Sequence, residues 1–256
     1  MQKIIISGCC GHMGRVVADI CASDPDVEIV AGIDLLAQPM EGFPVFSTPA
    51  VCHVEADAVI DFSHPAALGG LLDFCVERRL PIVLATTGYS EEQLAQISEA
   101  AKSIPLFRSA NMSLGVNVLM DLVRRAAALL GEDFDVEIQE RHHRRKLDAP
   151  SGTALMLADA ASSALSYEAE YVYDRHSVRK PRDRREIGVS SLRGGTIVGD
   201  HTVVFAGRDE VIELSHHAAS REVFAAGAVK AAKFLAFVDA PGLYDMSHLI
   251  AKDWGE

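Results

Sequence analysis

Two stretches of this chain carry residue types that can do chemistry together. In "EIQERHHRRKLDAPSGTA", Glu137 to Ala154, the six consecutive positions from Arg141 to Lys146 hold three arginines, two histidines and a lysine, in a chain of formal net charge -12. Pro150, Ser151, Gly152 and Thr153 follow and read as a helix start, where backbone N–H groups lack intrahelical partners and two hydroxyls add further donors. Cations beside such a start suit a small substrate with two carboxylates, one on the Ser151–Thr153 turn and one on the neighbouring His and Lys charges. A protonated Lys or His there can also deliver a proton to a nitrogen acceptor.

The second stretch is "IIISGCCGHMGRVV", in which Gly8, Gly11 and Gly14 recur every third residue between a strand and a helix. Glycine there lets the backbone turn tightly, and the helix N-terminus offers N–H groups and a positive dipole end to a pyrophosphate. A second strand, "VEIVAGID", ends at Asp34, twenty residues after Gly14, where a carboxylate accepts hydrogen bonds from an adenosine ribose. The pair reads as a nicotinamide dinucleotide site. Asp34 repels a 2′-phosphate and Leu35 supplies no guanidinium, so NADH is the expected cofactor. Two further strand-end loops belong to that face: "ATTGY", with Thr86, Thr87 and Gly88, and "SANMSLGVN", with Ala110, Asn111 and Met112. In "DFSHPAA", Ser63 reads as a helix cap followed by Pro65, and His64 as structural.

These residues need a scaffold, and the patterning describes one. Short β-branched runs at 3–7, 27–33, 57–62, 81–86 and 104–108 alternate with segments apolar at helical spacing, which predicts a parallel sheet covered by helices. From about Asp135 the texture changes to alternating strands, "DVEIQE" and "REIGVSSLRGGTIVGDHTVVFAGRDEVIELSHH", with turns at Gly194-Gly195 and Gly207-Arg208-Asp209. The fold class expected is α/β: a Rossmann-type dinucleotide-binding domain, residues 1–112 plus 222–256, and a second α+β domain with an open mixed sheet, residues 113–221. The composition, 49% hydrophobic and 23% charged, is that of a soluble globular protein. No signal-like segment opens the chain and no apolar run reaches the roughly 18 residues of a membrane span, so a cytoplasmic location is expected and no membrane partner. The net charge argues against a nucleic-acid partner. Five cysteines without CxxC spacing suit reduced thiols, and the adjacent histidine pairs lack the spaced partners of a zinc site, so no metal is expected.

The run "EIQERHHRRKLDAPSGTA" resembles the signature of the 4-hydroxy-tetrahydrodipicolinate reductase (dihydrodipicolinate reductase) family at each of its fixed positions. The resemblance continues through "GCCGHMGR", "DFSHP", "ATTGY", "SANMSLGVN", "GGTIVGDHTVVF", "GAVKAAKFL" and "PGLYDM". It implies NAD(P)H-dependent reduction of a hydroxylated tetrahydropyridine dicarboxylate to tetrahydrodipicolinate, in the diaminopimelate route to lysine. His142 then falls on the proton donor or acceptor position and Lys146 on the proton donor to the ring nitrogen. His143, Gly152 and Thr153, with Ser151 alongside, fall on substrate-binding positions. The cofactor positions fall on Gly8, Cys9, Cys10, Gly11, His12, Met13, Asp34, Ala85, Thr86, Thr87, Ser109, Ala110, Asn111 and Met112. The resemblance also implies a homotetramer assembled through the second domain's sheet. Leu35 stands where the family often has arginine, and Ala85 where glycine is common, which bears on cofactor choice: the family takes NADH or NADPH. A reductase of another imine or enamine dicarboxylic acid would share both sites. A regulator that merely senses NAD would need no lysine beside an SGT turn.

Overall fold

In a computed structural model the chain forms two compact units, Met1–Ser113 with Glu222–Glu256, and Leu114–Arg221. The structure describes residues 1–254. The boundary falls one residue past the expected 112. In chain order the elements are β1 (Gln2–Ser7), α1 (His12–Ala22), β2 (Val27–Ile33), β3 (Val45–Phe46), β4 (Ala58–Asp61), α2 (Leu68–Arg78), β5 (Ile82–Leu84), α3 (Glu91–Ala100) and β6 (Pro105–Arg108). The second unit contains α4 (Leu114–Leu130), β7 (Asp135–His142), α5 (Gly152–Ser162), β8 (Glu170–Val172), β9 (Glu186–Arg193), β10 (Gly199–Ala206) and β11 (Val211–Ala218). Then α6 (Glu222–Leu235), β12 (Gly242–Tyr244) and α7 (Met246–Trp254) complete the first unit.

The first unit carries a seven-stranded sheet in the order β12-β6-β5-β4-β1-β2-β3, parallel at every pairing. The order reverses beside β1, and crevices for ligands in open α/β sheets lie at the carboxyl ends of strands near such a point. Strands β1, β4 and β5 are buried almost throughout, which explains their near-continuous Ile and Val runs. The edge strands β3 and β12 are two and three residues long and were not anticipated from sequence, because so short a run carries no period. The cap in "DFSHPAA" is also shifted. His64 is the N-cap of a short 3-10 turn, its Nδ1 accepting from the Ala66 N–H, whereas the Ser63 hydroxyl donates to Asp61 at 2.6 Å.

The second sheet is mixed, in the order β11-β10-β7-β9-β8, with β10 antiparallel to β7 and β11 and the pairs β7–β9 and β8–β9 parallel. Helices α4 and α5 pack on the face that carries Val136, Ile138, Ile187, Val189, Val203 and Phe205. On that face β7 continues past the expected "DVEIQE" to His142, so Arg141 and His142 are strand residues and only the later part of the cationic run is loop. The opposite face exposes Leu192 and Val211. Arg175 and Arg182, from a second basic stretch, bind Glu137 at 2.6 and 3.0 Å, and Arg175 also reaches the buried Glu186.

Leu157 of α5 is fully buried between helix and sheet. Leu157→Ala removes those contacts and leaves a cavity, so the expected loss is about 2–5 kcal/mol of unfolding free energy in urea titration. A loss under about 1 kcal/mol would mean that α5 is not a packed element of this core.

Candidate functional site

The first unit brings its candidate residues together at the β1–α1 turn. Gly8 has φ +78, and a Cβ built on it would lie 2.6 Å from the Phe62 carbonyl oxygen, so this turn admits glycine alone. At Gly14 a Cβ would lie 2.1 Å from the Gly8 oxygen, which sets how closely α1 can approach the strand. Gly11 is the N-cap of α1 and uses no side chain for capping, which leaves the helix start to backbone donors. Asp34 reaches back to this turn: Oδ2 accepts from the Cys10 N–H and Oδ1 from the Leu36 N–H, each at 3.0 Å. Each carboxylate oxygen keeps a lone pair for another donor. A dinucleotide fits this cradle on two observations, the absence of room for any Cβ at Gly8 and Gly14 and a carboxylate already oriented at the adjacent strand end.

The remaining residues of that set differ in kind. Gly11 and His12 are exposed and Met13 is half-buried on the first turn of α1. Cys9 is wholly buried; burial first, then the neighbouring Cys10 and Asp34, pushes its thiol up to about 12. Arg15 donates from Nε to the Cys10 carbonyl at 3.1 Å. Ala85, Thr86 and Thr87 leave β5 at its carboxyl end, and Ser109, Ala110 and Asn111 leave β6 at its own. Asn111 Oδ1 accepts from the Ser113 N–H at 2.8 Å, an Asx turn that stiffens the loop. Met112 is 4% exposed, its side chain packed inside the unit. Its carbonyl oxygen sits where a Cβ on Gly227 would come within 1.7 Å, which explains glycine in α6.

In the second unit the chemistry converges on a carboxylate that sequence reasoning passed over. Glu140 has no exposed surface, yet is ionised. Burial raises its pKa, but the Arg193 guanidinium, then His142, outweigh that and hold it at about 2. Arg193 binds it bidentately, at 2.7 Å to Oε2 and 2.6 Å to Oε1. His142 Nδ1 lies 2.7 Å from Oε2, and the Ser151 N–H donates to Oε1 at 3.1 Å. Arg193 also donates to the Asp148 carbonyl at 2.7 Å. One carboxylate thus fixes the histidine ring, the loop and the start of α5. An ionised carboxylate can only accept, so it places the His142 proton on Nδ1 and leaves Nε2 as the second functional nitrogen. A Cβ on Gly199 would stand 3.0 Å from that Nε2, so glycine keeps this nitrogen uncovered.

Ser151 also differs from its expected part. It is 2% exposed, and its hydroxyl accepts from the Ala154 N–H at 3.1 Å as the N-cap while pairing with His201 Nε2 at 2.9 Å. The hydroxyl is engaged within the fold, and Gly152 and Thr153 form the first helical turn. Burial, then the neighbouring His142, lowers His201 to about 4, so it is neutral at physiological pH. Lys146 Nζ pairs with Asp148 at 2.9 Å. His143 lies 3.5 Å from Arg221, its Nδ1 has no hydrogen-bond partner, and burial and then Arg221 lower its pKa. The rest of the cationic run disperses: Arg144 and Arg145 are exposed, and Arg141 sits across the sheet near Asp200 at 4.0 Å. Glu140, Arg193 and His201 were absent from the sequence reading, although each has the buried parity of its strand, shared with Ile138, Val189 and Val203.

Family models described as "Dihydrodipicolinate reductase, N-terminus" and "Dihydrodipicolinate reductase, C-terminus" match residues 2–112 and 115–250. The chain is 53% identical over 252 residues to a 4-hydroxy-tetrahydrodipicolinate reductase of Caldanaerobacter subterraneus subsp. tengcongensis, covering 98% of this chain and 99% of that one. A second protein of that description, from Clostridium botulinum, is 48% identical over 251 residues, covering 98% of each. Among solved structures, the dipicolinate-bound dihydrodipicolinate reductase from Paenisporosarcina sp. TG-14 shares the fold with a TM-score of 0.80 at 24% identity, covering 96% of this chain and 97% of that one. A probable dehydrogenase from Thermotoga maritima has a TM-score of 0.62 at 12% identity over 96% of this chain and 92% of that one.

The depressed pKa values of His201 and Glu140 set an acid limb with a defined sign. The unfolded chain takes up the His201 proton near 6.5 and the folded chain only near 4. Its contribution is therefore complete above pH 6.5 and is lost as pH falls to about 4. Glu140 contributes above 4.5 and loses its share as pH falls to about 2. Urea unfolding at stepped pH should show stability falling by up to about 1.4 kcal/mol per pH unit per group, and His201→Asn should reduce the slope of the upper window alone. An unchanged profile in that variant would contradict the burial of a neutral His201.

Proposed function

Because the chain belongs to the dihydrodipicolinate reductase family, we propose that it reduces 4-hydroxy-tetrahydrodipicolinate to tetrahydrodipicolinate with NAD(P)H, binding the cofactor on the first unit and the dicarboxylate on the second. The observation that supports this reading is that Glu140 ties His142 to the Ser151 amide at the start of α5, in a chain that also holds the glycine cradle and Asp34. The cofactor, held by Gly8–Met13, Asp34 and the loops after β5 and β6, supplies hydride when bound. The first turn of α5 receives one substrate carboxylate on its N–H groups. Arg221 supplies charge for the other, and His143 beside it, whose buried Nδ1 has no hydrogen-bond partner within the fold, supplies a hydrogen bond. Lys146 is the proton donor to the ring nitrogen, and Asp148 keeps its ammonium directed between turnovers. His142, its proton fixed on Nδ1 by Glu140, exchanges protons through Nε2.

We assign NADH as the preferred cofactor. Asp34 offers a carboxylate where a 2′-phosphate would need a cation, and the Leu35 side chain beside it is 86% exposed and apolar. The uncovered face of the second sheet, with Leu192 and Val211, is the surface we assign to the homotetramer. Dicarboxylate and dinucleotide are the partners this reading requires.

Lys146→Ala should lower kcat by about 100- to 10,000-fold with NADH binding unchanged, measured by nicotinamide oxidation with substrate made in place from pyruvate and aspartate semialdehyde. Full turnover in that variant would refute the donor assignment. Leu35→Arg adds a guanidinium at an exposed position and should shift kcat/KM towards NADPH by about tenfold or more. An unaltered cofactor ratio would remove the Asp34–Leu35 argument.

A further inference from the structure

The dinucleotide turn carries two thiols, those of Cys9 and Cys10, whose sulfur chemistry its proposed role does not use. Neighbouring side chains usually diverge, but here Gly8 turns the backbone and the two sulfurs lie 3.9 Å apart. Cys9 Sγ, Cys10 Sγ and a carboxylate oxygen of Asp34 all fall within 4.8 Å of one another, the one such group of three metal-ligating side chains among the described residues. The Gln38 carbonyl lies 3.8 Å from Cys10 Sγ. Two thiolates on a tetrahedral zinc at about 2.3 Å are about 3.8 Å apart, so the observed spacing already matches that geometry. Cys10 is half-buried, which gives an ion access from solvent, while Cys9 forms the buried floor over Gly32.

We propose that Cys9, Cys10 and Asp34 form a binding site for one thiophilic divalent cation, of the zinc and cadmium class, whose occupancy excludes NADH. Binding forms two metal–sulfur bonds and one metal–oxygen bond and releases both thiol protons to solvent, with no change of oxidation state. Gln38 or water completes the fourth position. The ion takes the Asp34 lone pairs that the ribose would use, so the antagonism with NADH rests on the cofactor reading given above, whereas the metal site does not. This is an inhibitory site and no part of catalysis. The sequence reading, which sought ligands spaced along the chain, had no reason to pair adjacent residues.

The test titrates the full-length, reduced protein with cadmium and follows the ultraviolet cadmium–thiolate charge-transfer band. The expected result is one equivalent per chain, a band lost in Cys10→Ser and weakened in Cys9→Ser, and at least a tenfold loss of NADH affinity. Alkylation of Cys10 in the unaltered protein should be slowed at least tenfold by one equivalent of cadmium, which needs no variant to fold. A band that persists in Cys10→Ser, or alkylation indifferent to cadmium, would overturn the site. Stoichiometric cadmium binding with NADH affinity unchanged would keep the metal site, and overturn both its exclusion of NADH and the ribose reading of Asp34.

Discussion

The second unit is organised by one buried charge. Glu140 lies on the helix-covered face of its sheet, where an isolated carboxylate would be heavily penalised and would take up a proton instead. It stays ionised because Arg193 grips both oxygens while His142 and the Ser151 amide satisfy further lone pairs. Breaking such a node from one side costs on the order of 3–5 kcal/mol, since the partner is left charged and buried. The node therefore ties β7, the end of β9, the Asp148 carbonyl and the cap of α5 into one arrangement. Every substrate-facing group proposed here except Arg221 leaves from one of those four places.

The first unit solves a different problem by different means. There the anion is to be met by backbone, and what matters is the absence of side chains: Gly8 and Gly14 clear the approach, and Asp34 is tethered by two amides before any ligand arrives. Preorganisation of this sort reduces the ordering that binding must otherwise impose. The same closeness of Asp34 to the turn brings its carboxylate beside the two thiols, so the proposed ribose contact and the proposed metal site share one geometric cause.

The parallel sheet was legible because buried strands and amphipathic helices alternate at distinct periods, and the glycine turn because its spacing has a steric reason. The mixed sheet was legible from its alternation and turn residues. What escaped was of two kinds. Strands β3 and β12 are too short to show a period, and their pairing depends on the sheet edges that receive them. Glu140 escaped although the parity of Val136 and Ile138 already put it on the buried face, because a charged residue there is read as a strand end unless a distant arginine is known to meet it. Arg193 lies 53 residues away, and no local pattern joins the two. Ser151 was assigned to a ligand for its hydroxyl at a helix start, and the fold engages that hydroxyl as a cap. The cationic run drew attention by its charge, yet its arginines lie outside the node.

The central claim, that an ionised Glu140 orients the histidine beside it, is open to direct observation. Nitrogen NMR of the imidazoles, with isotope-labelled histidine and His142→Asn for assignment, reports which ring nitrogen carries the proton. The account predicts that neutral His142 is protonated on Nδ1, with a slowly exchanging proton. A neutral His142 protonated on Nε2 would contradict it, because Nδ1 would then face the carboxylate as a second acceptor and the node could not exist as described.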